Sequence, residues 1–195
     1  MSTGKTNVQF KPKSRFDDRF AKIAALGHII FHAKDLANLW SIANENTLHA
    51  TLSRYVKKGL LFRIYKGLYS LKPIDQLDPV LLGIKALHRF AYVSTETALA
   101  ASGMIQQDTR EITLVSDVSK RFAIGPHQYR CRKLHDRYLY NPLGIAANGG
   151  YKTATAPRAA ADLLHFNSRA HFDARRSIDW ERVKIILKQV YDASE

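Results

Sequence analysis

A single cysteine, Cys131, stands among 195 residues, which excludes an internal disulfide framework and a zinc site built from several thiolates. No uninterrupted apolar run approaches the ~18 residues that a membrane-spanning helix needs. The opening residues, MSTGKTNVQFKPKSRF, lack the apolar centre of a secretory signal, so a cytoplasmic location is expected. Acidic residues are also scarce, 17 against 30 lysines and arginines, which leaves a formal charge of +13. Such a balance suits a polyanionic partner.

The motifs of common chemistries are missing as well. The eight histidines form neither HExxH nor any Cys-His ligand spacing; only His28 and His32 are four apart, and Gly27 beside a strand-like run separates them from one helix. Neither GxxxxGK[ST] nor GxGxxG occurs, so a nucleotide cradle is not indicated. Metal-dependent cleavage of nucleic acid draws on clustered carboxylates, commonly with a lysine two residues beyond one of them; no Asp or Glu here is followed by Lys at that spacing. Ser94 and Glu96 read as a helix cap and a first-turn acid rather than as a reacting pair. The expectation is a protein that is not an enzyme and uses neither metal nor cofactor.

What is present is uneven charge and clear periodicity. Up to Asp75 there are 13 basic and 5 acidic residues, and beyond it 17 and 12, so a phosphate-binding surface is sought at the front. Residues 1–16 form a polar, basic segment predicted to be a flexible arm. Asp17 and Asp18 then open a helix with Phe20, Ile23, Ala24 and Leu26 on one face. The run from His28 to Phe31 predicts a short strand. A helix from Ala33 carries Leu36, Leu39 and Trp40, and a second one, from Asn46 to Lys58, buries Leu48, Leu52, Tyr55 and Val56 and leaves Thr51 among its surface residues. LLFRIYKGLYSLKP predicts a hairpin turning at Lys66-Gly67.

This order is that of a winged helix-turn-helix over 17–75. A mixed α/β domain over 76–195 follows, and the class as a whole is α+β. In that second domain helices are predicted over Val80 to Phe90, Thr95 to Ser102, Pro157 to Phe166 and Trp180 to Tyr191. Strands are predicted over Glu111 to Val115, around Phe122 and Ile124, over Gln128 to Leu134 and over Leu143 to Ala147.

A major groove about 12 Å wide admits one α-helix, whose short polar and basic side chains then reach base edges and phosphates. Thr47, His49, Ala50, Ser53 and Arg54 are predicted to face the groove, with Lys57 and Lys58 nearer the backbone. Arg63, Tyr65 and Lys66 on the hairpin would hold sugar and phosphate, contacts that position rather than specify. Double-stranded operator DNA is the expected partner; the alternative is a protein-interaction module whose winged helix binds a partner protein and whose charge serves solubility.

Three blocks also resemble a known family. LSRYVKKGLLFRIYKGLYSL resembles the recognition helix and wing of AbiEi-type antitoxins, and YVSTETALAASGMI resembles the start of their second domain. APRAAADLL looks like a degenerate form of that family's "PEKALLDLL" helix, with Arg158 and Ala159 where acidic and basic residues often stand. The likeness spans Asp35 to Leu164. It implies a transcriptional regulator that represses its own operon and acts as antitoxin in a type IV toxin-antitoxin or phage-abortive system. Its implied partner is a nucleotidyltransferase-type toxin, by function if not by direct contact; the alternative is a stand-alone regulator without a toxin.

Overall fold

The computed structural model describes residues 15–106 and 110–192, which fall into two compact units of a mixed α and β protein. The first comprises the described residues up to Arg63 with Gly67–Leu71, and the second takes Ile64–Lys66 and the described residues from Lys72 onward. The division thus falls a few residues before the sequence boundary at Asp75. Nearly all of the predicted arm lies outside the described residues, although Arg15 and Phe16 already belong to the first helix.

In the first unit, helix α1 spans Arg15–Ala25, strand β1 Ile30–His32, helix α2 Ala33–Leu39 and helix α3 Glu45–Lys57. Strands β2, Phe62–Tyr65, whose last two residues are grouped with the second unit, and β3, Leu68–Ser70, complete a three-stranded sheet in the order β1-β3-β2. The core gathers Ile23, Phe31, Leu36, Trp40, Leu48, Leu52, Tyr55, Leu61 and Tyr69. Trp40 stacks on Tyr55 at 5.2 Å between ring centroids, and its indole N–H donates to the Arg19 carbonyl at 3.1 Å. Burying each large apolar side chain contributes about 1.5–3 kcal/mol, so this cluster orients all three helices. Three expectations fail: Ala24 and Leu26, placed on the buried face of α1, are exposed, and Thr51 is buried rather than at the surface. Thr51 tolerates burial because its hydroxyl donates to the Thr47 carbonyl at 2.7 Å.

The second unit is built on a six-stranded sheet in the order β6-β7-β5-β4-β9-β8. Its elements run α4 Pro79–Leu87, β4 Ala91–Val93, α5 Thr95–Ala101, β5 Glu111–Ser116, β6 Lys120–Ile124 and β7 His127–Lys133. They continue with α6 Asp136–Leu139, β8 Ile145–Asn148, β9 Tyr151–Ala154, α7 Ala156–Phe166 and α8 Trp180–Tyr191. Strand β4 pairs antiparallel with β5 and parallel with β9, and β5 runs parallel to β7, so the sheet is mixed. Strands β4 and β9 and helix α6 were not foreseen.

Side-chain alternation along the strands divides the helices between the two faces. On one face Tyr129 of β7 donates to the Pro79 carbonyl at the start of α4, at 2.8 Å. A Cβ on Gly83 of α4 would stand 2.3 Å from that ring, so only glycine lets α4 lie this close. On the other face Thr113 of β5 bonds Thr97 of α5, hydroxyl to hydroxyl at 3.0 Å, and α7 and α8 pack on that side through Asp162, which receives the hydroxyls of Tyr92 and Tyr191. Ser94 precedes α5 but does not cap it with its side chain; its hydroxyl donates instead to Asp162 at 2.6 Å.

Candidate nucleic-acid interface

Helix α3 begins where Asn44 accepts the Thr47 backbone N–H at 3.0 Å, an N-cap that satisfies one of the helix's orphan donors. Glu45 sits in the first turn, and Arg54 and Lys57 in the last; both placements complement the helix dipole. With Leu48, Thr51, Leu52 and Tyr55 turned into the core, the opposite face is set by geometry. Asn46, Ala50, Ser53 and Lys57, spaced four, three and four, form its centre, and all four are exposed. His49 and Arg54 flank that line, and Thr47 lies toward its margin, also exposed.

The structure therefore brings His49, Ala50, Ser53, Arg54 and Lys57 onto one surface. It adds Asn46, which the sequence reading took as the helix's edge; the signal was its spacing of four from Ala50. Arg54 folds along its own helix, donating to the Ala50 carbonyl at 3.3 Å and to the Thr51 hydroxyl at 3.4 Å. Lys58 is the C-cap residue, its N–H returned to the Arg54 carbonyl at 3.1 Å.

On the hairpin, burial alternates along β2, so that Arg63 and Tyr65 are exposed while Phe62 and Ile64 are half-buried. Lys66 is exposed at the turn, where Gly67 takes φ +67, a left-handed conformation that glycine adopts without steric cost. Tyr69 belongs to the core rather than the surface. Lys57, Arg63 and Lys66 have no ion pair among the described residues. They are exposed cations without a local carboxylate partner among these residues, an arrangement suited to meeting phosphate.

The strongest electrostatic perturbations lie elsewhere, in the second unit. Arg158 and Asp162 of α7, one turn apart, are both fully buried and paired at 2.6 Å. The Arg158 guanidinium also donates to the carbonyls of Asn141, Leu143 and Tyr138, at 3.2, 2.8 and 3.1 Å. Gly144 permits this approach, since a Cβ there would lie 2.7 Å from that of Arg158. Asp162 in turn accepts the hydroxyls of Tyr92, Ser94 and Tyr191. Burial alone would lower the pKa of Arg158, but the charge of Asp162 and the two phenols outweighs it and the value is raised.

Enclosed on every side, this network ties α7 to β4, α8 and the segment before β8. Burial, reinforced by Asp162, holds the phenols of Tyr92 and Tyr191 above their ordinary pKa, and burial with the Asp78 charge does the same for Tyr129. Unfolded phenols ionise near pH 10. Below that pH these three contribute their full stability, which is lost as pH rises because the unfolded chain releases protons that the folded chain retains. We expect a late step in phenolate absorbance that coincides with loss of the circular dichroism signal. A complete phenolate spectrum from a still-folded chain would contradict the burial of these rings.

Burial pushes the Cys131 thiol up to about 12, so it is a packed side chain rather than a nucleophile. Among the described residues no group of His, Cys, Asp and Glu could hold a metal ion, and no helix is long and apolar enough to cross a membrane.

No family model and no curated protein matches the chain. Among solved structures, the Rv2827c protein from Mycobacterium tuberculosis superposes with a TM-score of 0.53 at 12% sequence identity, over 93% of this chain and 74% of that one. At such identity the likeness concerns architecture alone: the chain has a fold similar to that of the Rv2827c protein.

Proposed function

We propose that the chain is a winged-helix DNA-binding regulator that represses its own operon and serves as the antitoxin to a nucleotidyltransferase-type toxin. The DNA-binding part rests on one observation above all: α3 presents small polar and basic side chains, Asn46, His49, Ala50, Ser53, Arg54 and Lys57, on its solvent face. A helix of this kind fits the major groove. The small residues Ala50 and Ser53 at the centre let the helix approach the bases, and the cations at its C-terminal end meet phosphate. The hairpin that follows supplies Arg63, Tyr65 and Lys66 for backbone contacts.

The antitoxin part rests on the likeness of the LSRYVKKGLLFRIYKGLYSL and YVSTETALAASGMI blocks to AbiEi-type proteins. A nucleotidyltransferase gene beside this one, toxic alone and silent when this chain is co-expressed, supports it. Undiminished toxicity leaves a stand-alone regulator.

Replacing Arg63 and Lys66 together by alanine is expected to weaken binding to the DNA upstream of the gene by about 2–4 kcal/mol. Both side chains are exposed, so thermal unfolding is expected to stay unchanged. A gel-shift titration measures the affinity. Unaltered affinity would remove the hairpin from the interface.

A further inference from the structure

The edge of the six-stranded sheet carries a second concentration of positive charge, separate from α3 and the hairpin. A recess of about 590 Å³ is lined by Lys120 and Arg121 of β6, by Arg130, Arg132 and Lys133 of β7, and by Phe166 of α7. Arg121 and Arg130 are direct cross-strand partners in the antiparallel β6–β7 ladder. Like charges so placed destabilise a sheet, and aliphatic or acidic residues at either position would serve the strand better.

The local carboxylates do not cancel this charge. Glu111 lies 3.3 Å from Arg121, whose side chain is still 66% exposed. Glu96 pairs with Arg132, whose side chain is only 14% exposed and whose guanidinium lies over the Phe166 ring. Even so, the Nε of Arg132 and one carboxylate oxygen of Glu96 are buried without a hydrogen-bond partner. Arg130 and Lys133 have no ion pair among the described residues. Arg121, Arg130 and Arg132 thus share one face of the ladder with two acids, while Lys120, which lies over the Phe122 ring, and Lys133 alternate to the other face and add their charge at the rim.

We propose that this recess is a binding site for a chain of linked phosphates, of the kind a nucleoside triphosphate carries. Planar guanidinium forks pair bidentately with phosphate oxygens. A chain of several phosphates can bridge Arg121, Arg130 and Arg132 and relieve their mutual repulsion, which a single small anion cannot do at all three. The concave shape favours a small ligand over duplex DNA, and its volume falls within the range of small-ligand sites, about 300–1,000 Å³. The proposal is independent of the DNA-binding reading, because none of these residues belongs to α3 or the hairpin.

Isothermal titration calorimetry on the full chain tests it with tripolyphosphate, inorganic phosphate, ATP, GTP and a polyglutamate peptide as probes. Tripolyphosphate is expected to bind at least about tenfold more tightly than inorganic phosphate, and Arg121→Gln with Arg130→Gln to lower that affinity by about tenfold or more. Both substituted side chains lie outside the buried Arg132–Glu96 pair, so the fold is expected to survive, as circular dichroism would check. A chain altered instead at Arg54, Lys57, Arg63 and Lys66 should bind tripolyphosphate as the native one does.

Tighter binding of ATP or GTP than of tripolyphosphate identifies a nucleotide as the source, and equal binding identifies the phosphate chain alone. Equal affinity for phosphate and tripolyphosphate, preference for polyglutamate, or indifference to the Arg121 and Arg130 changes would overturn the proposal.

Discussion

Substituting Arg158 by methionine is expected to destabilise the second unit by about 3–5 kcal/mol, the cost of leaving one member of a buried ion pair alone. Asp162 would keep its three hydroxyl donors, Tyr92, Ser94 and Tyr191, but lose its counter-charge. The carbonyls of Asn141, Leu143 and Tyr138 would lose their common donor, each in a place that water reaches poorly. The methionine fills most of the volume, so a cavity accounts for little of the loss. Urea denaturation followed by near-UV circular dichroism measures it. Replacing Asp162 by asparagine in the same chain is expected to recover part of the loss, because the neutral amide carries no unpaired charge and its oxygen still accepts from the buried hydroxyls. A midpoint indifferent to Arg158→Met would contradict the structural role assigned to the network.

The second large effect concerns DNA. If Arg54, Lys57, Arg63 and Lys66 each neutralise a phosphate, replacing all four by alanine should make the dependence of log affinity on log salt shallower by roughly 3–4, at about 0.9 per contact. The native chain, with six or so contacts, should lose roughly three decades of affinity between about 50 and 200 mM salt. Arg54 bears on this in a particular way. It rests along α3 on the Ala50 carbonyl and the Thr51 hydroxyl, two weak bonds it can exchange for a phosphate. Arg54→Ala alone should therefore weaken binding without reducing stability. A salt slope unchanged by the fourfold substitution would place the phosphate contacts on other residues.

How far the sequence anticipates the molecule depends on the range of the interactions. Helix α3 was legible because its buried positions repeat at helical spacing and Gly59 closes it. The hairpin was legible from alternation around Lys66-Gly67. Strand β4 was not: Ala91–Val93 is three residues long, yet it lies at the centre of the sheet between β5 and β9. Its neighbours are distant in the chain, so no local pattern announces it, and β9 is hidden in the same way beside Gly149-Gly150.

The Arg158–Asp162 pair shows the same limit. In the sequence it reads as a departure from a familiar helix. Its meaning emerges only when Tyr92, the 138–143 segment with the carbonyls of Tyr138, Asn141 and Leu143, and Tyr191 arrive from three other places in the chain. A local clue did exist, since Arg and Asp four apart interrupt an otherwise apolar run through Ala159, Ala160, Ala161 and Leu163. Two charges on the buried face of a helix must satisfy one another. Thr51 was misplaced for a related reason: a threonine can return its hydroxyl to its own helix and be buried at little cost.

The central claim is that α3 and the hairpin hold DNA, and footprinting the full chain on the DNA upstream of its gene tests it most directly. The account predicts a discrete protected stretch that includes major-groove positions and disappears when Arg54, Lys57, Arg63 and Lys66 are replaced, with circular dichroism unchanged. A footprint of the same extent and strength from the substituted chain, or none from the native chain at low salt, would contradict it.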